Sequence, residues 1–237
     1  MDGVIVINKQ IGPTSHDVVN RVRVLSGSLK VGHLGTLDPL ASGVLPLVLG
    51  AATKLASSLA GSEKIYEFTC CFGEVRTTDD SEGEIISKRA VPQNLLEELR
   101  ELLPGFIGVI DQRPPLYSAI KIKGRPMYSL ARKGKKVEAP LRRVTVNNLK
   151  ILKSDGNRVR MSIDCLSGTY VRSICRDLGF KLGCGAYASD IFRLKSGRFT
   201  IDQAITMDIL EKNPSQMHKH IIGLEALKSK GACSMIT

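Results

Sequence analysis

The run Val44-Leu45-Pro46-Leu47-Val48-Leu49 carries no polar side chain, and directly before it stands Gly32-His33-Leu34-Gly35-Thr36-Leu37-Asp38-Pro39-Leu40-Ala41-Ser42-Gly43. A continuous apolar run of this length bounded by turn residues reads as a buried strand, so the chain has to build a sheet core. The glycine-rich connection is then pinned beside that strand, and a loop held in this way can present side chains accurately. Its glycines permit positive φ and close approach of a ligand, while Pro39 biases Asp38 towards an extended conformation and removes one backbone donor. Asp38 therefore projects from a stiffened bend. Asp-Pro beside glycine is also ordinary turn chemistry, and a lone histidine such as His33 is often a satisfied structural group.

At 237 residues the chain has room for one domain of ordinary size, or for a domain with a small appendage. No apolar run approaches the ~18 residues needed to span a bilayer, and the N-terminus lacks a basic region followed by an apolar signal core. The expectation is a protein that stays in the cytoplasm where it is made. The cysteines Cys70, Cys71, Cys165, Cys175, Cys184 and Cys233 form no CxxC pair, and His16, His218 and His220 offer no zinc-type spacing with them. They read as buried thiols in a reducing compartment, and no metal site is expected.

Lys and Arg number 34 against 23 Asp and Glu, a net charge of +11, which favours a polyanionic partner. Much of the excess is local: Lys121, Lys123, Arg125, Arg132, Lys133, Lys135, Lys136, Arg142 and Arg143 are opposed in their stretch only by Glu138. A charge run is often just a solvated face. Here Tyr117, Met127 and Tyr128 sit among the cations, and stackable aromatics amid phosphate-binding charge favour RNA.

Val4 to Ile7 reads as a short strand, and Ser15 as the cap of a helix with Val18, Val19, Val22 and Leu25 at helical spacing, stopped by Gly27. A strand over about Val44 to Leu49 is followed by a helix with Leu55 and Leu59 and a β-rich run from Ile65 to Phe72. Pro92 opens a helix with Leu95, Leu96, Leu99, Leu102 and Leu103 on one side, ended near Gly105. Val159, Met161, Ile163 and Cys165 alternate with polar residues as in a half-buried strand, and Val171, Ile174, Cys175 and Leu178 mark a helix ended by Gly179 or Gly183. Strands and helices are interspersed without a regular βαβ period, so the fold class is α+β.

The stretch from Gly32 to Leu45 closely resembles the active-site loop of the bacterial tRNA pseudouridine-55 synthases of the TruB type, whose pattern runs Gly-His-x-Gly-Thr-Leu-Asp-Pro-x-Ala-x-Gly-x-Leu. The resemblance continues in order to about Phe199. Lys9-Gln10-Ile11-Gly12-Pro13-Thr14-Ser15 is similar to the family's Lys-Pro-x-Gly-x-Thr-Ser, with Gln10 in place of proline. Lys64-Ile65-Tyr66 carries the family's lysine-x-tyrosine, and Gly168-Thr169-Tyr170-Val171-Arg172 its Gly-Thr-Tyr-Ile/Val-Arg. Pro114 to Lys121 and Gly124-Arg125 carry the likeness into the basic segment. Two places depart from it: Arg76-Thr77-Thr78-Asp79-Asp80 stands where Thr-Asp-Thr-x-Asp is usual, and Phe192 replaces the first arginine of Leu-Arg-Arg.

The resemblance implies a central mixed, mainly antiparallel sheet flanked by helices and loops. It implies a catalytic domain over 1–200 with a basic RNA-binding insertion at about 121–143. The segment 201–237 is then a short extension, too small for a complete RNA-binding barrel of the PUA type. The implied activity is cofactor-free isomerisation of uridine-55 in the T arm of tRNA by a monomeric enzyme. Asp38 is the implied nucleophile or base, Tyr66 the ring against the target base, and Arg172 the cation that keeps a carboxylate ionised, with Asp38 its candidate partner. His33, Lys9, Gly35, Thr36, Lys54, Asp80, Tyr170, Ile191, Lys121, Arg125 and Lys133 are implied substrate-binding residues. Two other functions fit the same scaffold, a non-catalytic RNA-folding or guide-complex protein and an Asp-dependent N-glycosidase.

Overall fold

The computed structural model describes residues 1–27, 30–118, 120–122, 125–127 and 139–229. In chain order the first half runs β1 (Gly3–Lys9), α1 (Ser15–Ser26), β2 (Val31–His33), β3 (Ser42–Leu49), α2 (Ala56–Leu59), β4 (Glu63–Phe72), β5 (Glu74–Arg76), β6 (Ile85–Lys88), α3 (Leu95–Leu102) and β7 (Gly108–Gln112). The second half runs β8 (Lys121–Ile122), β9 (Arg125–Pro126), β10 (Arg142–Asp155), β11 (Arg158–Leu166), α4 (Val171–Lys181), β12 (Ala186–Ser196), β13 (Phe199–Thr200), α5 (Met207–Lys212), β14 (Ile221–Gly223) and α6 (Leu224–Ser229). The architecture is α+β, and its strand pairings are mostly antiparallel. Among the described residues no helix is long and apolar enough to cross a membrane.

The chain forms two units, one of Met1–Ile65 with Phe192–Thr237, the other Tyr66–Ile191. In the first, β1 pairs antiparallel with both β3 and β14, β2 pairs with β3, and the Phe192–Arg193 end of β12 runs parallel to β3 at Ser42 and Gly43. The apolar run of β3 is buried along its length, as its composition requires. Val4, Val6, Val44 and Val48 join Leu34, Ala52, Leu59, Phe199 and Leu227 in one core. Residues beyond 200, expected as an extension, return to β1: the Asn8 amide donates to Ile205, and Ile205 donates to Val6.

The first helix is capped one residue earlier than its sequence suggests. The Thr14 hydroxyl accepts from the Asp17 amide, and the Asp17 carboxylate accepts from the Thr14 amide. The same contacts with Thr14 hold the Asp17 carboxyl below its usual range. Ser15 is left for another task, described below. Gly27 ends the helix in the left-handed region, as its position suggests.

In the second unit β10 pairs antiparallel with β11 and β7, while β5 pairs with β6 in a separate two-stranded sheet. β10 is hard to read in the sequence because bulges at Val146/Asn148 and Ile151/Lys153 shift its register and break the period of two. α3 starts at Leu95, three residues after Pro92, whose carbonyl accepts from the Leu95 amide. α4 continues past Gly179 to Lys181, and a Cβ on Gly179 would overlap Ala186, so this glycine serves close packing within the helix and does not end it.

Gly43 ties the two ideas of buried strand and pinned loop together. It has φ +101, and a Cβ there would overlap the backbone of Arg193 in the parallel pairing. Gly43→Ala is expected to lower stability by ~2–4 kcal/mol, backbone strain adding to overpacking, as read by urea denaturation.

Candidate active site

The sequence places a carboxylate on a loop, and the first unit shows what stiffens it. Arg193, on β12, is 1% exposed. It donates Nη2 to the Gly35 carbonyl at 3.0 Å, Nη1 to Thr36 at 3.2 Å and Nε to Val44 at 2.8 Å. Lys9, at the end of β1, is 0% exposed, and its ammonium donates to the carbonyls of Ala41 at 2.6 Å, Gln10 at 2.9 Å and Pro39 at 3.3 Å. Ser15 bonds both sides of Leu37: its hydroxyl donates to the Leu37 carbonyl and accepts from the Leu37 amide, each at 2.8 Å. The turn closes with the Ala41 amide on the Asp38 carbonyl at 3.0 Å.

Burying two cations is expensive, and charge-assisted hydrogen bonds to several carbonyls each offset that cost. The result is a backbone anchored at Gly35, Thr36, Leu37, Pro39 and Ala41, with the half-buried Asp38 between the anchors. Such anchoring limits the reorganisation needed when a carboxylate acts. Lys9 thus sits behind the loop. Thr36 is exposed, Gly35 half-buried, and Lys54 lies exposed on the turn Gly50–Leu55.

His33 ends β2 and is partly buried, its Nδ1 lacking a hydrogen-bond partner among the described residues. Burial pushes its pKa below the ordinary 6.5, and the charges of Arg193 and His16 push it the same way. The imidazole is therefore neutral at pH 7. Because the folded pKa lies below the unfolded one, this group's contribution to stability is present above pH ~6.5 and is lost as pH falls towards the folded value. An NMR titration is expected to give a His33 midpoint below 6.5, and His33→Gln is expected to flatten the acid side of the stability profile.

In the second unit, Tyr66 lies half-buried on β4. Tyr170 precedes α4 and is held by Gln112, 1% exposed at the end of β7: the Tyr170 amide donates to Oε1 at 2.8 Å, and Nε2 donates to the Tyr170 carbonyl at 3.2 Å. This fixes the entry into α4 and hence Arg172. The Arg172 guanidinium holds Asp80 at 3.2 Å, both side chains being 4% exposed. It also donates to the carbonyls of Thr78 at 3.0 Å and Tyr117 at 2.9 Å. Asp80 in turn accepts from the Thr78 hydroxyl and from the Glu82 amide. The sequence reading gave Arg172 the candidate partner Asp38; within this unit Arg172 holds Asp80, a pairing which that reading did not make.

Ile191 is buried on β12. Lys121 and Arg125 lie on the paired strands β8 and β9, and Lys133 falls outside the described residues. Arg193, Gln112 and Ser15 are the loop and helix anchors that sequence reasoning missed as site residues. Arg193 follows Phe192 in the family's Leu-Arg-Arg position, which was the available clue.

Residues 23–171 match the family model for "TruB family pseudouridylate synthase (N terminal domain)", and residues 172–227 that for "tRNA pseudouridylate synthase B C-terminal domain". The chain is similar to tRNA pseudouridine synthase B of Solibacter usitatus (strain Ellin6076), 50% identical over 89% of this chain and 72% of the relative. It is also similar to tRNA pseudouridine synthase B of Pseudomonas syringae pv. syringae (strain B728a), 44% identical over 90% of this chain and 69% of the relative. Among solved structures it resembles a chain of a Cbf5-Nop10-Gar1 complex with TM-score 0.72 and 30% identity, covering 94% of this chain and 60% of that one. On its Gly-His-Leu-Gly-Thr-Leu-Asp-Pro loop, its α+β sheet and these matches, the chain belongs to the TruB family of pseudouridylate synthases.

Proposed function

We propose that this protein isomerises uridine-55 in the T arm of tRNA to pseudouridine, acting as a monomer in the cytoplasm and without a cofactor. The observation that carries the reading is the Asp38 loop, anchored from behind by Arg193, Lys9 and Ser15 in a chain of this family. The N1–C1′ bond breaks, the uracil turns, and a C5–C1′ bond forms. N1 gains a proton and C5 loses one, so nothing is oxidised or reduced.

Asp38 starts the cleavage, either by adding to the sugar or by deprotonating it. Arg172 supplies the cation of the reaction, its planar fork of donors suiting an anionic group. The target base leaves its stack at a cost of a few kcal/mol, and the Tyr66 ring recovers ~1–3 kcal/mol by stacking. Neutral His33 holds the displaced nucleotide. Gly35, Thr36, Lys54, Tyr170 and Ile191 serve substrate binding, and Lys121, Arg125 and Lys133 take phosphates of the T arm.

The test is an unmodified tRNA transcript incubated with the purified protein, followed by mapping of the product. Pseudouridine at position 55 is expected. Unchanged RNA would point to the non-catalytic alternative and an abasic site to the glycosidase. An isolated T-arm stem-loop is expected to retain kcat/KM within ~100-fold of whole tRNA, so that no more than ~2.7 kcal/mol of transition-state stabilisation comes from outside that arm.

A further inference from the structure

Arg176 follows Arg172 by one helical turn on α4, so the two side chains leave the same face. Arg172 grips Thr78 and Asp80, while Arg176 Nη1 pairs with Asp79 at 2.9 Å. The other arms of the two guanidinia reach the segment after β7: Arg172 Nη2 donates to Tyr117 and Arg176 Nη2 to the Arg113 carbonyl, at 2.9 and 2.7 Å. Successive turns of one helix thus hold neighbouring residues of one β5–β6 turn.

Adjacent carboxylates can meet two arginines on one helix face because the backbone turns between them. Asp79 has φ +60, in the left-handed region that non-glycine residues rarely occupy. That conformation is fastened by the Ala188 amide on the Asp79 carbonyl at 3.0 Å and the Ser81 amide on the Ala188 carbonyl at 3.1 Å. Burial pushes the Asp79 carboxyl above its ordinary range, and the charge of Arg176 offsets only part of that. A third arginine closes the turn from its other end. Arg76 lies over the Tyr187 ring at 4.2 Å, pairs with Glu74 at 2.7 Å, and donates to the carbonyls of Ser81 at 3.1 Å and Gly83 at 3.3 Å. Arg76 is also a position where this chain departs from the family's Thr-Asp-Thr-x-Asp pattern.

We propose that Arg176 and Arg76 are positioning residues: they hold the Asp79-Asp80 turn from two ends, and through Asp80 they set the direction of the Arg172 guanidinium. This rests on the reading of Arg172 as a site residue. Neither arginine needs to touch RNA for the effect.

The test uses the full chain with Asp79→Asn, Arg176→Lys, Arg76→Gln and the Asp79→Asn/Arg176→Lys double variant. Asparagine tolerates the left-handed conformation as aspartate does, so Asp79→Asn reads the ion pair and leaves the backbone preference intact. Each single variant is expected to lower kcat by ~10-fold with KM for tRNA within ~3-fold, and the double is expected to be no slower than the slower single. Amide exchange at Ser81, Glu82 and Gly83 is expected to quicken by ~10-fold, since the Glu82 amide bonds the Asp80 carboxylate. Wild-type kcat per folded molecule in all three singles, losses that multiply in the double, or unchanged exchange overturns the proposal. The exchange readout needs no substrate: quickened exchange alongside a wild-type protein that makes no pseudouridine leaves the positioning of the turn standing and counts against the functional reading alone.

Discussion

Replacing Asp38 by asparagine is expected to abolish pseudouridine formation, by at least ~10⁴-fold or about 5.4 kcal/mol of barrier, while tRNA binding stays within a few-fold. The amide keeps the shape of the side chain and the turn, whose closing hydrogen bond uses the Asp38 backbone carbonyl. It removes only the charge and the basicity on which either route depends. Most RNA affinity comes from phosphate contacts, which the substitution leaves alone. Single-turnover conversion of labelled tRNA alongside filter binding measures both quantities. Turnover within ~10-fold of wild type would remove Asp38 from the centre of the reaction.

Arg172→Met is expected to cost ~3–5 kcal/mol of folding stability, because it strands Asp80 as a buried carboxylate without its cation. Both side chains of that pair are 4% exposed, so water cannot replace the guanidinium. The Thr78 hydroxyl and the Glu82 amide remain as donors to Asp80 and temper the loss. Urea denaturation is the measurement, against a total stability that for a typical domain is only ~5–15 kcal/mol. Removing the stranded charge as well, in Arg172→Met/Asp80→Leu, is expected to restore much of the stability and none of the activity. A double variant as unstable as the single would mean that lost packing, not the buried charge, carries the cost.

The two substitutions differ in how visible their contexts were. Asp38 lies in a contiguous stretch whose glycines, proline and flanking apolar strand are all neighbours in sequence, and local chemistry reads such stretches well. The Arg172–Asp80 pair joins residues 92 apart. The Gly-Thr-Tyr-Val-Arg motif announced an arginine in need of a carboxylate, but nothing local pointed to Asp80 as a residue it holds. Ser15 is a comparable case: capping chemistry made it a helix cap, whereas Thr14 caps and Ser15 turns its hydroxyl to Leu37, 22 residues away.

What the amino-acid order dictates here is whatever depends on near neighbours: the buried strand β3, the helix from Ser15 to Gly27, the half-buried strand β11, and the loop that holds Asp38. Periodicity, caps and turns act over a few residues, so they survive in a string of letters. The scaffolding behind the loop does not. The sequence offered Lys9 as a substrate-binding residue and Arg193 only as the end of a Leu-Arg-Arg-like motif, yet both are buried on carbonyls up to 32 and 158 residues away. A buried cation is tolerated only where several acceptors converge on it, and that convergence exists only once β1, β3 and β12 have paired. The bulged strand β10 and the left-handed Asp79 belong with them, because register shifts and strained backbone are held in place by partners distant in sequence.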